Sequence, residues 1–352
     1  MYEAAAPLCA ARAKAYYGAA GAYFPETMTI FGTYSNGDYG WDRTGHAAKE
    51  VLSPWWQYAW NQGPELVALM LDYWDYTRDE RFLRKEALPM ATTVLRYFDT
   101  RFARDSHGKL VISPTQALET HWHNVVNDAP TVAGLHAILA RLRKLPKTYT
   151  IPLDRQLWDR LYAALPAIPV REVDGVRMLA AAEQFDPNRQ NVETPELYAV
   201  FPFRLFSVGQ PRLEEAREAY RRRHDKMTNG WSQDGEFAAL LGLSDEARLN
   251  VLANVGNSHP NFRFPAMWGP NFDWVPDQDH GSNLLLTLQY MLLQSAGDEL
   301  FVLPAWPKDW NVSFRLHAPD NTTVEGVYRD RKMQQLEITP KSKQRVTVGP
   351  PD

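Results

Sequence analysis

A single cysteine, Cys9, stands in 352 residues, so the chain has no internal disulfide and no thiolate metal cluster. No run approaches the roughly 20 apolar residues that a membrane-spanning helix needs. The N-terminus lacks a basic segment followed by an apolar core and a cleavage site. A membrane is therefore not an expected partner, and the sequence itself leaves the compartment open. Neither sign of charge dominates: 38 Lys and Arg against 42 Asp and Glu give a formal net charge of -4. That leaves no basic footprint for wrapping a polyanion, and nucleic acid is not an expected partner. Several catalytic signatures are missing as well, with no H-E-x-x-H, no G-x-S-x-G elbow, no P-loop and no Rossmann glycine fingerprint. Serine hydrolysis, nucleotide hydrolysis and dinucleotide redox chemistry lack their residues, and no cofactor is expected.

Aromatic side chains are what the sequence has in quantity, with 12 Trp, 16 Tyr and 15 Phe. Many stand beside Gly, Pro and Asn outside periodic runs, as befits loops that receive flat ligands. The alternative is that large rings fill the seams of a big helical fold. Hydrophobic residues at 45% and charged residues at 23% supply a sizeable core. The length suits one large helical domain with an appendage.

Residues 2–17 read as a helix stopped by Gly18 and Gly21. From Tyr23 to Gly45 the chain is rich in Gly, Tyr, Asn and Asp without helical period, which marks a long loop. Helices resume near Gln57. LVALMLDYWDYTRD (66–79) and RFLRKEALPMATTVLRYFDTRF after it form a helical hairpin. Pairs follow at 128–144 with 154–165, 211–223 with 234–242, and 244–255 with 281–296. This series predicts a mainly α fold, an (α/α)6 toroid of helical hairpins over residues 1–299, although a helical solenoid gives a similar pattern. About ten helices are counted where such a ring takes twelve. After about Leu300 the strands VSFRLH, TTVEGVYRD, QQLEITP and QRVTVGP predict a small β appendage, 300–352.

Candidate chemistry concentrates in four loops: YSNGDYGWDR (34–43), SPTQALETHWHN (113–124), NVETPELY (191–198) and WGPNFDWVPDQDHGSN (268–283). Glycoside hydrolysis requires one carboxylic acid to protonate the leaving oxygen and one carboxylate to activate water or attack. Aromatic platforms against the sugar faces complete such a site. Glu119 lies between Pro114 and Trp122, where desolvation favours an acid, although it could equally neighbour a helix cap. Asp277 and Asp279 precede a helix, where carboxylates also serve simply as caps. His121 and His123 bracket Trp122; with Asp279 and His280 they could form a divalent metal site, but two histidines around a tryptophan more often hydrogen-bond ligand hydroxyls or stack in a cleft, and no metal is expected. Asn191, Glu193 and Glu196 rank behind, since ETPELY is also a helix-start pattern. The substrate-binding candidates are Trp41, Asp42, His121, Trp122, His123, Glu193, Trp268, Asn271, Trp274, Asp277 and His280.

DQDHGSNLLLTLQYMLLQSAGDELFVLPAWPKDW resembles family 95 glycoside hydrolases of the α-L-fucosidase and α-L-galactosidase type, in which an aspartate precedes a helix ending in MLLQS. SPTQALET resembles that family's S-P-S-x-S-P-E segment, and YWDYTRDERFLRKEALPMATTVLRYF its H-Y-x-x-T-G-D-x-x-F-L hairpin. The resemblance implies an inverting, exo-acting hydrolase of terminal sugars on oligo- or polysaccharides, with Glu119 as general acid and Asp279 orienting or activating water. It also implies asparagines on a segment before the first helix, which this chain lacks, so the ring is expected to miss its first hairpin. D-G-N-F-G of the family reads here as D-H-G-S-N, and its H-R-H-x-S-H-L-Y as NVETPELY, so the chain resembles a sister group with a different sugar preference. A periplasmic or secreted site of action is implied. Two further readings stand beside this one. The first is a non-catalytic carbohydrate-binding or truncated domain; the second is a polysaccharide lyase on the same toroid, using a Tyr or His base against a uronate.

Overall fold

The computed structural model describes residues 1–227, 232–256, 279–340 and 345–349, with only the backbone of Asp279 and His280. The chain forms two compact units, Met1–Trp74 with Asp79–Phe203, and Asp75–Arg78 with Arg204–Asp352. Its secondary structure is mainly helical, with short strands between and after the helices.

In the first unit, α1 (Tyr2–Tyr17) ends where expected, at Gly18 in the left-handed region. A short α2 (Asn36–Tyr39) interrupts the Tyr23–Gly45 loop, started by Ser35, whose hydroxyl accepts from the Asp38 N–H. Helices resume at α3 (Gln62–Thr77) rather than at Gln57. α4 (Glu80–Phe82), capped by the Asp79 carboxylate on the Phe82 N–H at 2.9 Å, runs through a π-helical stretch, Leu83–Ala87, into α5 (Leu88–Arg101). α6 (Ala129–Lys144) and α7 (Pro152–Ala164) pack as the predicted pair. α6 is the core helix, burying Val132, Leu135, Ile138, Leu139 and Leu142 on several faces. Its Gly134 is required, because a Cβ there would stand 2.7 Å from both Phe203 and Pro64.

Strands β1 (Ala103–Arg104) and β2 (Leu110–Val111) pair, and β3 (Thr115–Ala117), β4 (His121–Asp128) and β7 (Ala182–Gln184) form an antiparallel sheet in the order β3-β4-β7. β5 (Val170–Val173) and β6 (Val176–Leu179) make a hairpin. The segment 113–124, read from the sequence as irregular, is thus mostly a β-hairpin with Glu119 in its turn. Cross-strand pairing of Thr115 with Val125 outweighs the loop signal of Pro114.

Not every tryptophan serves a ligand. Trp60 is fully buried, its ring 5.0 Å from Tyr23 and 5.3 Å from Tyr17, and its indole N–H donates to the Pro114 carbonyl at 2.9 Å. Trp60→Ala empties that space and orphans the carbonyl, so it should cost about 4 kcal/mol of stability. A shift in the denaturant midpoint of the first unit's unfolding checks this; an unchanged midpoint contradicts it.

The second unit holds α8 (Leu213–Arg222), α9 (Asp234–Leu240), α10 (Ser244–Gly256) and α11 (Asp279–Leu292). Every residue of α9 is buried, and both α10 and α11 pack on it. α11 stops at Leu292, not 296. There the chain extends into β8 (Leu293–Ala296), where the Gln294 amide bonds the Ala239 carbonyl at 2.6 Å. β8 pairs with β9 (Glu299–Val302), and β10 (Val312–Ala318), β11 (Thr322–Arg329) and β12 (Lys332–Thr339) form an antiparallel meander, as the alternation predicts. β13 (Arg345–Val348) runs parallel to β9.

Candidate active site

The turn between β3 and β4 carries Glu119 half-buried. Its N–H donates to the Glu193 carboxylate at 2.7 Å, and its own Oε2 accepts from the Asn191 amide at 2.7 Å. The neighbouring Thr120 hydroxyl donates to the Glu193 carbonyl at 3.1 Å, and the Arg189 guanidinium donates to the same carbonyl at 2.8 Å. Two segments far apart in sequence, 113–124 and 189–193, are thereby tied together. Leu118, just before Glu119, has φ 53°. The S-P-S-x-S-P-E segment has proline there, which cannot take that angle, so this turn is built differently.

Three further side chains share the charge environment of Glu119, and the sequence reading missed them. Glu26 follows Pro25 in the long loop and accepts a hydrogen bond from the Gln62 amide. Glu65 stands on the first turn of α3, where its Oε1 accepts from the Asn61 amide at 2.7 Å. The Tyr198 hydroxyl is held well above its ordinary value, first by burial and then by the charges of Glu65, Glu193, Glu26 and Glu119. Burial pushes Glu26 up to about 8, helped by Glu65, Glu193 and Glu119. Burial raises Glu65 to about 7. Glu193 is pushed up to about 8, by burial first and by the Glu119 charge second. Yet none of these four side chains is sealed: Glu26 is exposed, and Glu65, Glu193 and Tyr198 are half-buried. Desolvated carboxyls that solvent still touches are the mark of a recess that can admit a solute. The signal in the sequence was a glutamate on the inward side of an amphipathic helix, in the run N-Q-G-P-E.

The other candidates divide. Trp122 is half-buried and meets Trp55 edge-on, ring centroids 4.7 Å apart. Its indole N–H is buried without a hydrogen-bond partner. Trp55, 39% exposed, is a second platform that the sequence reading passed over. His123 is exposed, 6.4 Å from the Trp122 ring. His121 turns inward: it is buried against Phe185, its Nδ1 is 3.0 Å from the Asp186 carbonyl, and burial lowers its pKa. Trp41 is 82% exposed, and Asp42 uses its carboxylate on the Thr44 N–H at 2.9 Å. Glu196 is buried in the 3-10 turn Pro195–Leu197. Asp279 and His280 open α11, but their side chains, like Trp268, Asn271, Trp274 and Asp277, lie outside the described residues. Among the described residues no group of three or more His, Cys, Asp or Glu is arranged to hold a metal ion.

The sequence model of the glycosyl hydrolase family 95 catalytic domain matches residues 1–264. The chain belongs to this family. Glu119, Glu193 and their neighbours lie inside the matched residues of the family 95 domain, whereas Asp279 lies beyond them. Among solved structures, a chain named as a kojibiose phosphorylase from human microbiome aligns with a TM-score of 0.55 at 10% identity. The alignment covers 99% of this chain and 54% of that one, so the chain spans about half the length of that protein. At this identity the likeness is one of fold. No curated protein matches the sequence.

The second-largest influence on Glu193 gives a direct test of the cluster. Removing the Glu119 charge with Glu119→Gln lowers the pKa of Glu193, because a like charge beside a carboxyl favours its protonated form. Carbon-13 titration of the glutamate carboxyls measures it; an unmoved Glu193 means the two groups do not share one recess.

Proposed function

We propose that this family 95 domain is an exo-acting, inverting glycoside hydrolase that removes terminal α-L-fucoside-like or α-L-galactoside-like sugars from oligo- or polysaccharides. The observation that carries the reading is the Glu119 turn, held by Asn191 and Glu193 beside the Trp55–Trp122 pair, within the residues that match the family. In this reading Glu119 donates its proton to the glycosidic oxygen as the bond to the anomeric carbon breaks, so the leaving sugar departs as an alcohol. Asp279 takes a proton from water, whose oxygen bonds the anomeric carbon from the opposite face. The indoles of Trp55 and Trp122 stack on apolar sugar faces, with Trp41, Trp268, Trp274, Asn271, Asp277 and His280 as the remaining subsite candidates. The helical pairs close into an (α/α)6 toroid in this account, with residues 300–352 as its β appendage.

The likeness to a phosphorylase raises phosphate as an alternative nucleophile. Charge argues for water instead. The charges of Glu65, Glu119 and Glu193 raise the proton affinity of Glu26, and those of Glu119 and Glu65 raise that of Glu193, so an anion brought among these carboxyls meets the same repulsion wherever they are ionised. The same field disfavours a uronate, and with it the lyase reading.

The test follows the first products by proton NMR. The full chain is given 4-nitrophenyl α-L-fucoside, the α-L-galactoside and fucosylated oligosaccharides, with and without inorganic phosphate. Free sugar of inverted configuration, released at a rate indifferent to phosphate, is expected. A glycosyl phosphate, a retained anomer or an unsaturated product absorbing in the ultraviolet would each overturn the reading. Sugar binding without turnover would assign a non-catalytic binding domain.

A further inference from the structure

We propose that Gln116 is a positioning residue that locks the Glu119 turn and the Trp55 platform into one rigid piece. Gln116 lies on β3 and is 1% exposed, so its amide must find every partner inside the protein. It does so with three main-chain groups on two segments. Its Oε1 accepts from the Tyr58 N–H at 2.8 Å. Its Nε2 donates to the Trp55 carbonyl and, at 2.9 Å, to the Leu118 carbonyl. Its own N–H donates to the Tyr58 carbonyl at 3.3 Å.

Each of these bonds lands on a place where function needs fixing. Leu118 is left-handed, a conformation that costs a residue with a Cβ about 1–2 kcal/mol, and it is the residue that aims Glu119. A hydrogen bond to its carbonyl holds that strained peptide in one orientation. Trp55 and Tyr58 belong to a segment without regular secondary structure, where nothing periodic would otherwise set the height of the Trp55 ring against Trp122. One amide therefore couples the acid to the surface on which the sugar is proposed to lie. Neighbouring bonds back the clamp: Thr115 donates to the buried Asp128 carboxylate at 2.5 Å, and Asp128 in turn caps α6 through the Thr131 N–H at 2.8 Å.

The role rests on Glu119 acting as the acid, so the experiment has one arm that reads catalysis and one that does not. Gln116→Met keeps the length and volume of the side chain and removes both donors. For the catalytic arm, kcat on 4-nitrophenyl α-L-fucoside or the α-L-galactoside is expected to fall about 100-fold, the scale of a misplaced reacting group. KM rises at the same time, whereas Trp55→Ala raises KM alone. For the other arm, two indoles held edge-on give an exciton-coupled circular dichroism band, identified by its loss in Trp55→Phe and in Trp122→Phe. Gln116→Met is expected to lose that band, and Glu119→Gln to keep it. If Gln116→Met does not fold, Gln116→Asn substitutes for it: its shorter amide cannot reach both carbonyls and should show the same losses. A folded variant that keeps both the band and kcat, with only its melting temperature lowered, overturns the proposal. Loss of the band in a protein whose wild type turns over no glycoside upholds the clamp and refutes the hydrolase reading instead.

Discussion

Glu119→Gln should lower kcat/KM on glycosidic linkages between sugars by about three orders of magnitude, in line with the loss of a positioned general acid. Sugar alkoxides are poor leaving groups and need the proton as the bond breaks, and glutamine has none to give. Structure should be spared, because the amide preserves the acceptor that Asn191 donates to and the main-chain N–H that donates to Glu193. Sugar binding in calorimetry is therefore expected to survive within a few fold. Asp279→Asn should remove turnover to a similar extent, with binding equally intact. Unchanged turnover in both variants would falsify the assignment.

A second large effect is expected in the second unit, and it concerns stability. Glu236 on α9 is fully buried; among the described residues its Oε1 has no hydrogen-bond partner, and its Oε2 accepts a long bond, 3.3 Å, from Thr287 on α11. Close by, the Asp234 carboxylate pairs with the Arg223 guanidinium at 2.6 Å and accepts from the Ser232 hydroxyl at 2.7 Å, so Arg223 is already engaged. Burial pushes Glu236 up to about 8. A carboxyl whose folded value exceeds its unfolded value binds its proton more tightly when folded. Its contribution is therefore fully present below about pH 4.5, the ordinary value, and is lost progressively as pH rises toward about 8. Glu236→Gln keeps the shape and cannot ionise. It should leave stability at pH 5 nearly unchanged and raise it at pH 9, by an amount on the order of a few kcal/mol. Thermal unfolding of wild type and variant at the two values decides it. Parallel loss in both would mean that Glu236 is not the group responsible.

Much of this could be read from residues alone, and the failures have physical causes. Helix periodicity carried α3, α5, α6 and α7, and period-two alternation the β10–β12 meander, because their apolar spacing reports directly on which side is buried; α1 was legible from its alanine-rich run. The Gly18 stop was legible because a helix end at glycine is local chemistry. The 113–128 hairpin was not, since its pairing depends on Val125 and on β7, a strand that lies more than 50 residues further on. Glu119 was legible as a carboxylate near aromatic residues. Its partners Glu26 and Glu65 were hidden, because a glutamate at a loop or at a helix start looks like a solvated charge until the fold shows what surrounds it. Trp55 and Gln116 were hidden more deeply: nothing in a glutamine marks that its amide will satisfy three main-chain groups.

The role proposed for Glu119, that of proton donor, is tested most directly by varying the leaving group. A general acid matters only when the departing oxygen needs its proton. For Glu119→Gln, kcat/KM on a 2,4-dinitrophenyl glycoside is predicted to stay near the wild-type value, while kcat/KM on the corresponding methyl glycoside or disaccharide falls by about 1,000-fold. An equal loss on both kinds of substrate would contradict the account, because it would place Glu119 in binding or folding rather than in proton transfer.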